Sequence, residues 1–125
     1  MRVVHAKTEQ FDSTLASLLA SQAAIGKDLQ VFAHFHAEID PETLQSWCSD
    51  CNRAFEMINQ KLESTDAVCI AVQIARGEWK THPMRTHALE LNAIPTLFRF
   101  TSSTEYSKLV EAECFDQRLM EYFFK

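Results

Sequence analysis

Two apolar periods alternate along the chain. Val3-Val4 is a short apolar pair and predicts an edge strand. Phe11, Leu15, Leu18, Leu19 and Gln22 recur at spacings of three and four, which predicts a helix over Phe11–Ala24. Asp12 or Ser13 is expected to help its start, and Gly26 to stop it. Leu29–Phe35 is apolar at nearly every position, as in a central strand covered on both faces. His36–Ser46 is a polar connection containing Asp40-Pro41, and it delivers the chain to Trp47. The helical period returns over Cys51–Ser64, where Ala54, Phe55, Ile58 and Leu62 form a stripe. Arg53, Glu56, Asn59, Gln60 and Glu63 lie opposite. Ala67–Ile74 predicts a second buried strand.

Gly77–Thr81 predicts a turn, and Pro83 the first position of a short helix through Leu89, with Thr81 or His82 before it. Ala93-Ile94-Pro95-Thr96 leads into a strand over Leu97–Phe100. Thr101–Glu105 is turn-like, and Tyr106–Val110 returns as the second arm of a hairpin. Phe115–Phe124 predicts a closing helix with Leu119, Met120, Phe123 and Phe124 available for packing. The order βαβαβαββα predicts one α/β domain over residues 1–125. Its mixed central sheet has parallel pairing, an antiparallel hairpin and helices on both faces.

Composition narrows the function. The 125 residues suit a single core. A net charge of −5 without a Lys/Arg cluster argues against a nucleic-acid partner. No apolar run approaches a membrane span, and the start lacks a signal-peptide pattern, because Arg2-Val3-Val4-His5 runs into polar residues. The expected compartment is the cytosol, where stable disulfides are rare. The four cysteines are therefore read as redox-active, metal-binding or buried thiols. With only two glycines, there is no dinucleotide-binding pattern, so no cofactor is expected.

The chemistry concentrates in Trp47-Cys48-Ser49-Asp50-Cys51, where two cysteines stand three positions apart just before a helical run. At a helix start both sulfurs fall within one turn, and the first faces the positive dipole end and its free N–H groups. That setting favours thiolate. Lowering a thiol from about 8.5 to about 7 takes it from roughly 3% to about half thiolate, for about 2 kcal/mol. Cys48 is the expected nucleophile and Cys51 the resolving thiol. The competing reading is half of a zinc site, with His34, His36, Cys69, His82, His87 and Cys114 as further candidate ligands. No second Cys-x-x-Cys exists, and a gap of roughly thirty residues to His82 fits no common finger, so no metal is expected. Asp50 either modulates the dithiol or caps the helix, and Trp47 is an apolar wall or a core residue. His34 reads as a neutral core histidine rather than a proton shuttle. Cys69 and Cys114 read as inert buried thiols.

A Cys-x-x-Cys in a βαβ context with Ile94-Pro95-Thr96 ahead of a hairpin resembles the thioredoxin-like fold. A closer resemblance is to the thioredoxin domain-containing protein 17 (Clot-like) family. It rests on Ser46-Trp47-Cys48-x-Asp50-Cys51, Trp79-Lys80, Ala93-Ile94-Pro95-Thr96-Leu97 and Leu109-Val110-Glu111-Ala112-Glu113-Cys114. The resemblance implies a cis Pro95 beside the dithiol, with Ile94 open to an extended substrate. It implies a disulfide reductase acting on protein or small-molecule disulfides. Electrons would come from a thioredoxin-reductase-type or other thiol donor, and the chain is expected to act as a monomer. Trp47, Ile94 and Pro95 would contact substrate. The rival reading is a non-catalytic adaptor that binds a partner beside Pro95. Ser49 departs from the family's Trp-Cys-Pro-Asp-Cys. Its hydroxyl is expected to donate to a nearby sulfur and, with Asp50, to adjust the potential.

Overall fold

The computed structural model describes residues 2–25 and 30–125. In chain order it contains β1 (Arg2–His5), α1 (Phe11–Ile25), β2 (Gln30–Ala37), α2 (Ser49–Glu63), β3 (Ala67–Ile74), β4 (Thr96–Phe100), β5 (Tyr106–Val110) and α3 (Gln117–Phe123). The five strands form one sheet in the order β1-β3-β2-β4-β5. β3 pairs in parallel with β1 and β2, and β4 pairs antiparallel with β2 and β5. Gly26 and Leu29, expected to stop the first helix and open the second strand, lie outside the described residues.

β2 is central and buried on both faces, and its alternation separates two cores. Val31, Ala33, Phe35 and Ala37 pack with Phe11 and Leu15 of α1 and with Val68, Ile70 and Val72 of β3. The ring centroids of Phe11 and Phe35 are 5.1 Å apart. On the other face Phe32 packs with Ala54, Ile58 and Leu62 of α2 and with Met120 and Phe123 of α3. His34 and His36 share that second face, with tilted rings 4.6 Å apart beside Phe55 of α2. Among the described residues no helix is long and apolar enough to cross a membrane.

Three local expectations need correction. Asp12 stands in the first turn of α1, where its charge helps the start as expected, but Ser13 does not help it. The Ser13 hydroxyl donates to the Gln10 carbonyl, and Asp12 Oδ1 meets His87 Nε2 at 2.7 Å. No α-helix spans Pro83–Leu89. The short helix starts as expected, with Pro83 first and His82 as its cap, but it is a 3-10 turn that ends at Arg85, and the expected turn before it is a second 3-10 turn over Arg76–Thr81. His82 Nδ1 accepts from the Met84 N–H, and His87 Nδ1 accepts from the Leu89 N–H. The His82 nitrogen thus caps a free first-turn donor, and the His87 nitrogen takes the Leu89 N–H that a longer helix would have paired internally. Met84, Leu89 and Leu91 are buried, but Leu89 stands five positions after Met84 and falls off its helical face. Finally, α3 begins at Gln117, where Asp116 Oδ1 caps the Leu119 N–H at 3.1 Å, and Leu119 faces outward.

Candidate active site

Helix α2 starts at the dithiol. Cys48 is its N-cap, with extended backbone (φ −108°, ψ 110°), and its sulfur accepts the Cys51 N–H at 3.2 Å. Serine, threonine, aspartate and asparagine usually fill this position. Here the capping atom is the sulfur of the expected nucleophile.

Cys48 is half-buried, and its thiol points at the Ile94 carbonyl at 3.7 Å. The Ile94–Pro95 peptide is cis. The structure therefore brings Cys48, Ile94 and Pro95 together, although they lie far apart in sequence. Trp47 is half-buried, and its indole N–H donates to the Ile74 carbonyl at the end of β3 at 3.2 Å. That bond fixes the residue before the nucleophile to the sheet. Asp50 stands half-buried in the first turn.

Cys51 is 3% exposed, and its sulfur accepts the Ala37 N–H at 3.5 Å. Burial pushes its thiol pKa up, and the hydrogen bond with Cys48 adds to the rise. All four cysteines are free thiols, so the site is in its dithiol form. Cys69 and Cys114 are pushed up to about 12 by burial. Cys114 donates to the Leu109 carbonyl at 3.3 Å, behind the hairpin.

Ser49 is exposed, and among the described residues its hydroxyl has no hydrogen-bond partner. The donor to the Cys48 sulfur is the Cys51 backbone, so the expected Ser49 contact is not made. Sequence reasoning also passed over Asn52. Its Oδ1 accepts from the Ser46 N–H at 2.7 Å and the Ser46 hydroxyl at 2.9 Å, and its amide donates to the Ser46 carbonyl at 3.1 Å. The Ser46 hydroxyl oxygen in turn accepts the Cys48 N–H at 3.2 Å. This clamp closes the chain around Trp47 and Cys48. A side-chain amide one position after the second cysteine was its only trace in the sequence.

The candidate zinc ligands do not gather. Among the described residues no group of three His, Cys, Asp or Glu side chains is placed to hold a metal. His82 is engaged with Thr8 Oγ1 at 2.9 Å, and His87 with Asp12. His34 is buried, and its pKa is lowered well below the usual value by burial and by His36, which keeps it neutral.

Residues 5–125 match the family model described as thioredoxin domain-containing protein 17-like, thioredoxin domain. The chain belongs to that family. It is 32% identical over 99 residues to thioredoxin domain-containing protein 17 of Mus musculus, covering 75% of this chain and 76% of that protein. It is 30% identical over 115 residues to the thioredoxin-like protein Clot of Arabidopsis thaliana, covering 87% and 84%. Among solved structures, reduced Schistosoma mansoni thioredoxin superposes with a TM-score of 0.59 at 18% identity, covering 98% of this chain and 99% of that one. Oxidised thioredoxin O1 of Arabidopsis thaliana gives 0.55 at 24% identity over the full length of both chains. The fold of this family member is thus thioredoxin-like, with a mixed sheet and helices on both faces.

Proposed function

We propose that this chain is a cytosolic thiol-disulfide oxidoreductase that reduces protein or small-molecule disulfides through Cys48 and Cys51. The observation that carries the reading is the Cys48 sulfur at the start of α2, held by the Cys51 N–H, with the second thiol buried one turn away. The Cys48 thiolate attacks a substrate disulfide, forms a mixed disulfide and expels one substrate thiolate. The Cys51 sulfur then attacks Cys48, gives up its proton and releases the second thiolate. The substrate disulfide gains two electrons and the enzyme keeps a Cys48–Cys51 bridge. A thioredoxin-reductase-type enzyme or another thiol donor returns the electrons.

Trp47, Ile94 and Pro95 form the substrate-facing wall in this reading, and the whole chain acts as one domain and as a monomer. Asp50 adjusts the dithiol through its charge.

Turnover decides against the adaptor alternative. Insulin or cystine reduction coupled to a thiol donor proceeds with the wild type and stops with Cys48→Ser. Absence of turnover with every donor, alongside intact folding, would favour the adaptor.

A further inference from the structure

Resolution leaves one atom without a destination. Cys51 is 3% exposed and carries its proton until it attacks Cys48. A cavity of about 110 Å³ lies behind it, lined among others by Cys51, Asn52, Ser46, Phe55 and His36. A water needs only about 10–15 Å³ of such space, and these walls supply several polar partners. Among the described residues, His36 is the only lining side chain besides Cys51 that titrates.

The orientation of His36 is set. Nδ1 lies 2.8 Å from the Ala37 carbonyl oxygen, which can only accept. Nδ1 therefore carries the hydrogen, and Nε2 of the neutral ring keeps an open lone pair. The same residue, Ala37, donates its N–H to the Cys51 sulfur, so both reacting partners are tied to one backbone unit. Beyond His36 a second cavity of about 260 Å³ is lined among others by His5, His34, Cys69, Glu63 and Gln73.

We propose that His36 is the proton acceptor for the resolving thiol, taking the Cys51 proton onto Nε2 through water in the cavity both side chains line. This rests on the dithiol reading above. The mixed disulfide at Cys48, the Cys51 thiol and neutral His36 give the Cys48–Cys51 bridge, a substrate thiolate and a His36 imidazolium. No external oxidant or reductant is needed. The imidazolium then returns its proton to water. The titratable groups that line these two cavities with His36 are His5 of β1, His34 of β2, Cys69 of β3, and Cys51 and Glu63 of α2. Burial and the nearby His5 lower its pKa, which keeps the ring unprotonated and ready at neutral pH.

Ellman's reagent separates the two chemical steps, because attack by Cys48 releases a first thionitrobenzoate and resolution by Cys51 a second. In stopped-flow at pH 7, His36→Gln should leave the first release unchanged. The second should slow about 100-fold, the lower end of what general base catalysis supplies. The deficit should shrink at alkaline pH, and added imidazole should partly restore the rate. If His36→Gln does not fold, the wild type decides: the second release must fall on acidification with the midpoint at which His36 titrates by NMR. An unchanged second phase in the variant, or a wild-type profile that ignores the His36 midpoint, overturns the role of His36 and leaves the dithiol reading intact. Loss of the first release in the wild type would instead defeat the dithiol reading itself.

Discussion

The Cys51 N–H donates to the Cys48 sulfur across 3.2 Å while the Cys51 sulfur lies buried behind it. One residue thus supports its partner's nucleophile and withholds its own. The difference is testable by alkylation of the reduced protein near neutral pH. Iodoacetamide should modify Cys48 more than about 10-fold faster than Cys51, since the alkylating species is the thiolate and burial disfavours it at Cys51. Cys69 and Cys114 should react only after denaturation. Peptide mapping that found Cys51 modified first would reverse the assigned roles.

Removing the resolving sulfur should strand the intermediate. Cys51→Ser retains the backbone N–H that supports Cys48, so attack persists while release fails. Incubation with a disulfide substrate should accumulate a Cys48 mixed disulfide, visible by non-reducing electrophoresis and mass spectrometry. Rapid release of substrate thiol from that variant would show that resolution does not need Cys51.

The Ser46–Asn52 clamp predicts a cost outside the dithiol itself. Asn52→Ala leaves the half-buried Ser46 N–H without its acceptor, while the Ser46 hydroxyl keeps the Cys48 carbonyl at 3.1 Å. A buried unsatisfied group costs about 1–3 kcal/mol, and the half-buried Ser46 N–H should fall at the low end of that range in urea unfolding. Reductase turnover should fall as well, because Ser46 accepts the Cys48 N–H. Asn52→Asp should keep much of the stability, since the accepting oxygen remains. Equal losses in both variants would mean that the amide matters for another reason.

The legible and illegible parts of the fold differ in how far apart the interacting residues stand. β2 and β3 were readable because both faces are buried, which forces continuous apolar runs. The dithiol was readable because its chemistry lies within one helical turn. Between Arg76 and Leu91 the turn near Gly77–Thr81 and the His82-Pro83 start were readable, but the end of the helix at Arg85 was not, since His82 and His87 also reach Thr8 and Asp12, more than seventy positions away. Asn52 carries no periodic signal, because its partners precede the helix. His36 looked like the start of a polar connection, yet it is the penultimate residue of β2 and faces the cavity behind Cys51.

Ser49 now carries a prediction different from the one its hydroxyl invited. Cys48 already has the extended backbone, with ψ of 110°, that a residue before proline prefers. Ser49 is the first residue of α2, where proline loses no intrahelical hydrogen bond. Ser49→Pro should therefore fold and gain about 0.4–1 kcal/mol by restricting the unfolded chain. With the hydroxyl exposed and off the sulfur, no shift in potential is expected from losing it. Urea denaturation of the reduced proteins checks the first statement, and equilibration against glutathione the second. A destabilised variant would show that the turn needs freedom that proline removes.

Stability should form a plateau with a fall on each side. His34, His36 and His82 have pKa values lowered in the fold, with burial the leading cause for each. Above about 6.5 these histidines are neutral folded and unfolded alike and contribute no slope. Below it the unfolded chain binds protons that the folded chain refuses. Stability then drops with pH, by up to about 1.4 kcal/mol per unit for each histidine, until the folded value is reached. The thiols act in the opposite direction. Cys51, Cys69 and Cys114 are raised by burial, so above about 8.5 the unfolded chain loses protons that the folded chain keeps. Stability falls again as pH rises. Urea unfolding of reduced protein at pH 5, 7.5 and 9.5 should give its largest value in the middle. His34 sharpens the test, because among the described residues its buried Nε2 has no hydrogen-bond partner. His34→Phe removes both that orphan and one acid-sensitive group, so the acid side should flatten while the alkaline side stays. An acid side as steep in His34→Phe as in the wild type would assign the loss to other groups.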